Sequence, residues 1–272
     1  MNDVVSKLKP RTKARLRARY GPWAVVTGAS SGIGRELALN LAEAGLNLAL
    51  VARSRDTLEG LAADLKIRYG VETHVVSTDL SAATGIETVM GETQDLDVGL
   101  LVAAAGFGTS GPFLKSSLDQ ELEMLRVNCQ AVLELSLHFG KRFAERRRGG
   151  IVLISSILGF QGTPNAAHYA ATKAYVHTFA EALHAELSPQ GVDVLASAPG
   201  PTSSGFAARA DMKMGVTLTP AEVAGPTLDA LGQRATVLPG RLSKLLRYSL
   251  LPLPRWARVR IMGRIMGGMA HH

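Results

Sequence analysis

Apolar segments that each lead into an amphipathic helical pattern, with a glycine-rich turn after the first of them, predict an α/β fold. The expected architecture is one doubly wound, Rossmann-type parallel sheet of about seven strands, covered by helices on both faces. At 272 residues the chain is long enough for one such domain, and 46% hydrophobic with 19% charged residues is a globular composition. The order begins with "PWAVVTGASSGIGRELALNLAEAG" (22–45), an apolar strand, a Gly/Ser turn and a helix whose face carries Leu37 and Leu41. A strand over 46–53, a helix with Leu58, Leu61 and Leu65, and a strand over 72–80 follow. A helix around 84–94 leads to "VGLLVAAAGFG" (98–108), a buried strand about half the length of a membrane-spanning helix. A helix over 117–146, a strand over 150–156, a helix over 167–187 and a strand over 192–200 complete the alternation. Residues 201–220, flanked by prolines, lie beyond a strand's carboxyl end, where open α/β sheets bind ligands, and are read as a substrate-side lid.

Charge divides the chain into three parts. Residues 1–20 hold seven Lys/Arg against Asp3 alone, residues 234–272 hold eight with no acid, and the middle is net −7 although the whole is +7. A nucleic-acid module would carry its basic stripe on the folded core, so no nucleic-acid partner is expected. The division predicts a basic N-terminal arm (1–20), a dinucleotide-binding domain (21–240) and a basic amphipathic C-terminal extension (241–272). A single cysteine, Cys129, excludes an intrachain disulfide framework, and no secretory signal is visible. A cytoplasmic protein is expected, with peripheral membrane contact through the basic ends as an open alternative.

Chemistry concentrates in three places. "TGASSGIG" (27–34) sets Gly28, Ser30, Ser31, Gly32, Ile33 and Gly34 between strand and helix, where bare backbone and free N–H groups suit a pyrophosphate. About twenty residues later an acid normally receives the 2′-OH of NAD. Here the second strand ends Ala52-Arg53-Ser54-Arg55, and an arginine in place of the acid attracts a 2′-phosphate, so NADP(H) is the expected cofactor. Asp79 and Leu80, closing the third strand, are candidates for the adenine edge. Finally, Tyr169 and Lys173 are one helical turn apart, so the lysine can favour the phenolate and make the tyrosine a usable acid/base.

These features, with Ser156 thirteen residues before Tyr169 and Asn128 within "RVNCQA", make the chain resemble the short-chain dehydrogenase/reductase family over about residues 22–235. The resemblance implies that Tyr169 exchanges a proton with the substrate oxygen while hydride moves to or from nicotinamide, and that Lys173 binds the nicotinamide ribose. It implies further that Ser156 orients the carbonyl and that Asn128 keeps a water in the proton relay. Ala105, Gly106, Pro199, Gly200 and Thr202 would border the cofactor; Ser155 stands at the wrong distance from Tyr169. It also implies a homodimer or homotetramer joined through helices 117–146 and 167–187. One departure is Ala103-Ala104-Ala105-Gly106 where the family commonly has Asn-Asn-Ala-Gly, which puts local rigidity in doubt.

The expected activity is NADP(H)-dependent interconversion of a carbonyl and a secondary alcohol on an apolar, lipid-, steroid- or acyl-like substrate. The alternative is a non-catalytic nucleotide-binding protein docked through its basic termini on a membrane or acidic partner. No metal is expected: His177, Glu181 and His184 share a helix face but read as a solvated or subunit-contact surface, and His168 reads as a packing or hydrogen-bonding group. The C-terminal extension could pack on the protein, on a second subunit, on a membrane or around the substrate, and packing on protein is favoured.

Overall fold

Strands that are apolar on both faces can exist only between two layers of helices. The computed structural model, which describes residues 8–205, 215 and 217–268, has that arrangement. In chain order the elements are α1 (Pro10–Tyr20), β1 (Trp23–Thr27), α2 (Gly32–Glu43), β2 (Asn47–Ala52), α3 (Arg55–Tyr69), β3 (Thr73–Ser77) and α4 (Ala83–Glu92). There follow β4 (Val98–Ala103), α5 (Leu118–Leu125), a π turn (Arg126–Gln130), α6 (Ala131–Glu145), β5 (Gly149–Ile154) and α7 (Ala167–Leu187). The chain closes with β6 (Val192–Ser197), α8 (Pro220–Ala230), β7 (Thr236–Val237), α9 (Arg241–Leu250) and α10 (Arg255–Gly267).

All seven strands are parallel, in the order β3-β2-β1-β4-β5-β6-β7. The order reverses direction between β1 and β4, and the carboxyl ends of these two strands open the crevice that binds ligands in such sheets. The pleat sends alternate residues into two cores. Val26 and Leu50 join Leu37, Leu41, Leu58 and Leu228 on one side, while Val25 and Val51 join Leu101, Phe139, Phe143 and Val176 on the other.

The structure revises two sequence expectations. The helix over 117–146 is interrupted, because residues 126–130 wind as a π turn. Such turns collect at functional sites, and Asn128 lies inside this one. The basic N-terminal arm, from Pro10 onward, is a docked helix and not a free anchor. Leu16 and Tyr20 are fully buried; Lys13 pairs with Glu43 at 2.7 Å, Arg15 donates to the carbonyls of Leu228 and Asp229 at 2.9 Å, and Arg19 pairs with Asp193. These contacts place α1 at the amino ends of the strands, opposite the crevice.

The Tyr20 hydroxyl donates to Asp193 at 2.7 Å, and burial pushes the phenol's pKa upward. Replacing Asp193 by alanine leaves that hydroxyl without its acceptor, at a cost of about 1–3 kcal/mol. A thermal midpoint lowered by roughly 2–10 °C, with turnover unchanged, is the expected calorimetric result.

Candidate active site

The β1–α2 turn forms a cradle because backbone replaces side chains there. A Cβ on Gly34 would lie 2.3 Å from the Gly28 carbonyl oxygen, so any other residue would push α2 off the strand. Ser30, Ser31, Gly32 and Ile33 line the cavity above it. Arg53 follows β2, is 57% exposed in its side chain, and reaches within 3.7 Å of the Glu123 carboxylate. Ala52 and Ser54 flank it, so no acid closes that strand. Leu80 forms buried wall, while one carboxylate oxygen of Asp79 accepts from the Ser81 amide and hydroxyl at 2.9 and 2.8 Å. Asp79 thereby fixes its own turn at the cavity edge.

The alanine run after β4 keeps its shape without the asparagine pair. The Thr27 hydroxyl accepts from the amides of Ala104 and Ala105 at 3.1 and 3.0 Å, and Ala103 is packed in the core. Gly106 then passes so close to the next group that a Cβ would stand 2.9 Å from Asn128 Oδ1 and 3.3 Å from Lys173 Nζ. Asn128 is fully buried; its Oδ1 accepts from the Phe107 amide at 3.1 Å. Its Nδ2 donates to the Phe107 carbonyl at 2.9 Å and to the Thr172 hydroxyl at 3.0 Å. The side chain thus fastens the loop after β4 to α7.

Beyond β5 the two serines divide their work. Ser155 donates to the Lys173 carbonyl at 2.8 Å and ties α7 to the strand. Ser156 caps the short turn that follows, accepting from the Leu158 amide at 3.2 Å, and hydrogen-bonds the Tyr169 phenol. Lys173 donates from Nζ to the Ile154 carbonyl at 2.8 Å, and its Nζ is 5.8 Å from the centre of the Tyr169 ring. Burial pushes the Tyr169 phenol up to about 12, with the Ser156 bond pulling the other way, and burial lowers Lys173 to about 8. Here the structure departs from the expectation that the lysine brings the phenol toward neutral pH. Desolvation is the largest cause at both groups, because they sit in the same low-dielectric wall. At pH 7 the site therefore holds a protonated phenol beside a lysine whose proton is loosely held.

Pro199, Gly200 and Thr202 line the opposite edge, and the Pro199 carbonyl accepts from Ile157. Of the expected lid, residues 206–214 and 216 lie outside the described residues. The described ends of that segment are pinned: the Ser203 amide donates to the Leu218 carbonyl at 2.7 Å and the Leu218 amide to that of Pro201 at 2.8 Å.

The cavity, of about 700 Å³, continues past the proton-transfer set into an apolar end. Leu158 and Val127 meet Leu242 and Leu246 of α9 and Met262, Ile265 and Met266 of α10 there. Met266 joins Phe107, Met124 and Tyr169 in one cluster, and the Arg247 guanidinium lies 4.3 Å above the Phe160 ring. The C-terminal extension is therefore packed on the protein and forms one cavity wall. Sequence reasoning missed Met266, Val127, Glu123 and a buried Glu121 that accepts from Thr109 at 2.8 Å and lies 2.6 Å from His168 Nδ1. None stands at a spacing that marks it before the chain is folded. His177 is buried, contrary to a solvated reading, and edges onto Phe160 at 4.4 Å, while the His184 ring meets the Val194 carbonyl at 2.9 Å.

A cradle that a side chain would fill, a cation at the end of β2 and a phenol–serine–lysine set fit a nicotinamide nucleotide. The family model described as short chain dehydrogenase matches residues 22–214. A 7β-hydroxysteroid dehydrogenase of Collinsella aerofaciens is 31% identical over 238 residues, covering 84% of this chain and 90% of that one. A very-long-chain 3-oxoacyl-CoA reductase of Neurospora crassa is 35% identical over 188 residues, 67% of this chain and 57% of that one. A short-chain dehydrogenase from Sphingobium yanoikuyae, solved in complex with NADPH, superposes with a TM-score of 0.79 at 30% identity, covering 89% and 95% of the two chains.

Proposed function

The chain belongs to the short-chain dehydrogenase family, and from that premise we propose that it interconverts a bulky apolar ketone and its secondary alcohol with NADP(H). The observation that carries this reading is the placement of Ser156, Tyr169 and Lys173 between a nucleotide cradle and an apolar cavity end. The glycine turn and the first turn of α2 would hold the pyrophosphate, Arg53 the 2′-phosphate, and Lys173 the nicotinamide ribose. When bound, the nicotinamide supplies or accepts the hydride.

The remaining steps belong to the chain's own side chains. Ser156 donates a hydrogen bond to the substrate oxygen and fixes it beside Tyr169. Tyr169 gives its proton to that oxygen as the carbonyl is reduced, and takes it back in the reverse direction. The Lys173 ammonium steadies the phenolate that forms. Asn128 keeps the loop after β4 at a fixed distance from α7, so that Gly106 leaves room for Lys173. Among the described residues nothing charged lines the α9–α10 end of the cavity, which favours a steroid-like or long acyl ketone, in keeping with the names of the relatives. The exposed apolar row of Leu118, Leu122, Leu125, Leu133 and Leu137 with Tyr175 suits pairing of two copies into a dimer or tetramer.

The test is consumption of NADPH and NADH against steroid ketones, 3-oxoacyl thioesters and small ketones. Turnover is expected on bulky apolar ketones with NADPH preferred. Arg53→Ala is expected to raise the KM for NADPH by about 10- to 100-fold and leave that for NADH unchanged. Equal effects on both nucleotides would remove Arg53 from the 2′-phosphate. Tight NADPH binding without turnover on any compound would favour the nucleotide-binding alternative.

A further inference from the structure

Helix α9 has two unlike faces. Leu242 and Leu246 line the cavity and Ser243 and Leu250 are buried. On the outer side stand Arg241, Lys244, Leu245 and Tyr248, the last two 65% and 63% exposed. Leu251 continues this side, and Trp256, at the start of α10, is 66% exposed. Arg255, Arg260 and Arg264 are exposed along α10, and no acid occurs after Asp229. A second apolar tip, Phe113 and the 96% exposed Leu114 followed by Lys115, extends from the loop after β4. That loop and α10 flank the same segment: the Gly111 amide donates to the Asn165 carbonyl, and α10 abuts Pro164 at Gly263.

Large apolar side chains exposed together need a partner. Leu, Tyr and Trp set among arginines and lysines, with no carboxylate between them, is the composition of a helix that lies in a lipid headgroup layer. A second copy meeting this face symmetrically would bring cations against cations, which distinguishes it from the leucine row on α5 and α6, where Asp119 and Glu134 stand beside Arg126. Among the described residues no helix is long and apolar enough to cross a membrane, so the contact would be peripheral. α1 packs at the amino ends of the strands, the other end of the sheet, and cannot reach the same plane.

We propose that the outer face of α9, Trp256 and the adjoining arginines seat the protein on an anionic phospholipid bilayer, with the mouth of the cavity turned to the lipid. The two faces of α9 then join two apolar phases, the bilayer and the cavity. An apolar substrate passes between them without crossing bulk water.

Flotation of the full chain with phosphatidylcholine vesicles, with and without phosphatidylserine, tests this. Wild type is expected to bind the anionic vesicles about tenfold more strongly than neutral ones and to be released by high salt. The triple variant Leu245→Glu, Tyr248→Glu, Trp256→Glu should lose that binding by about tenfold or more while keeping wild-type turnover on a water-soluble ketone and a wild-type circular dichroism spectrum. In a Trp23→Phe background, Trp256 emission should shift to the blue on vesicle addition. Equal binding by wild type and triple variant, or no binding to anionic vesicles, would overturn the proposal. So would a triple variant whose only change is a smaller sedimenting mass, which would make the face a contact between copies. Flotation reads the surface even if no ketone is turned over, so its failure is distinct from failure of the catalytic reading.

Discussion

Tyr169→Phe is expected to slow turnover by roughly 10²- to 10⁴-fold while NADPH affinity and thermal midpoint stay close to wild type. The ring is a packing element, wedged among Phe107, Met124 and Met266, and phenylalanine preserves it. What leaves is the hydroxyl, the one group that couples Ser156 to the transferred proton. With its phenol pushed up to about 12, Tyr169 carries its proton at neutral pH and stands ready as donor to a carbonyl. Stopped-flow measurement of NADPH oxidation under single-turnover conditions isolates that step. A variant keeping more than a tenth of the wild-type rate would remove Tyr169 from proton transfer.

Lys173→Met is expected to abolish most turnover and yet to raise stability at neutral pH. The lysine is buried, and folding lowers its pKa from 10.5 to about 8. A base whose folded value lies below its unfolded value is destabilising wherever the ammonium must be buried, that is below pH 8. The penalty fades as pH rises from about 8 to 10.5, where the unfolded chain also loses the proton. At pH 7 the fall corresponds to roughly 3 kcal/mol, partly offset in the variant because the Ile154 carbonyl loses its donor. Denaturant unfolding at several pH values should therefore show the variant ahead at pH 7 and the gap closing toward pH 10.5. In wild type, carbonyl reduction should slow as pH rises through about 8, because the ammonium that steadies the phenolate is lost. A variant less stable than wild type at pH 7 would make Lys173 a structural residue.

The parts of the site legible in the sequence are those whose chemistry depends on neighbours along the chain. The glycine turn, Arg53 at the end of β2 and the Tyr169–Lys173 spacing are local facts, and the strand and helix that present them follow from periodicity. Ser156 and Asn128 were readable only through a family resemblance, since nothing in their own surroundings marks them. Glu123 and Met266 come to the crevice from distant turns of the chain. No pattern around "LDQELEML" distinguishes the acid that meets Arg53 from its two neighbours in charge. The π turn was hidden for another reason: its residues keep the apolar spacing of an ordinary helix, and only the backbone bonds differ. β7, two residues long, is too short to leave a period.

Reaction and guest are written in different stretches of this chain. The cradle, the proton-transfer set and six of the seven strands that align them come before residue 214, where the family match ends. The apolar wall at the far end of the cavity is made by Leu242, Leu246, Met262 and Met266, after that point. α9 and α10 add no strand to the sheet, so changes at Leu242, Leu246 or Met262 alter the shape of the cavity and leave the strands in place. A lineage built this way can keep one reaction and exchange its guest by rewriting a tail. Descendants would then diverge in diet before they diverge in mechanism.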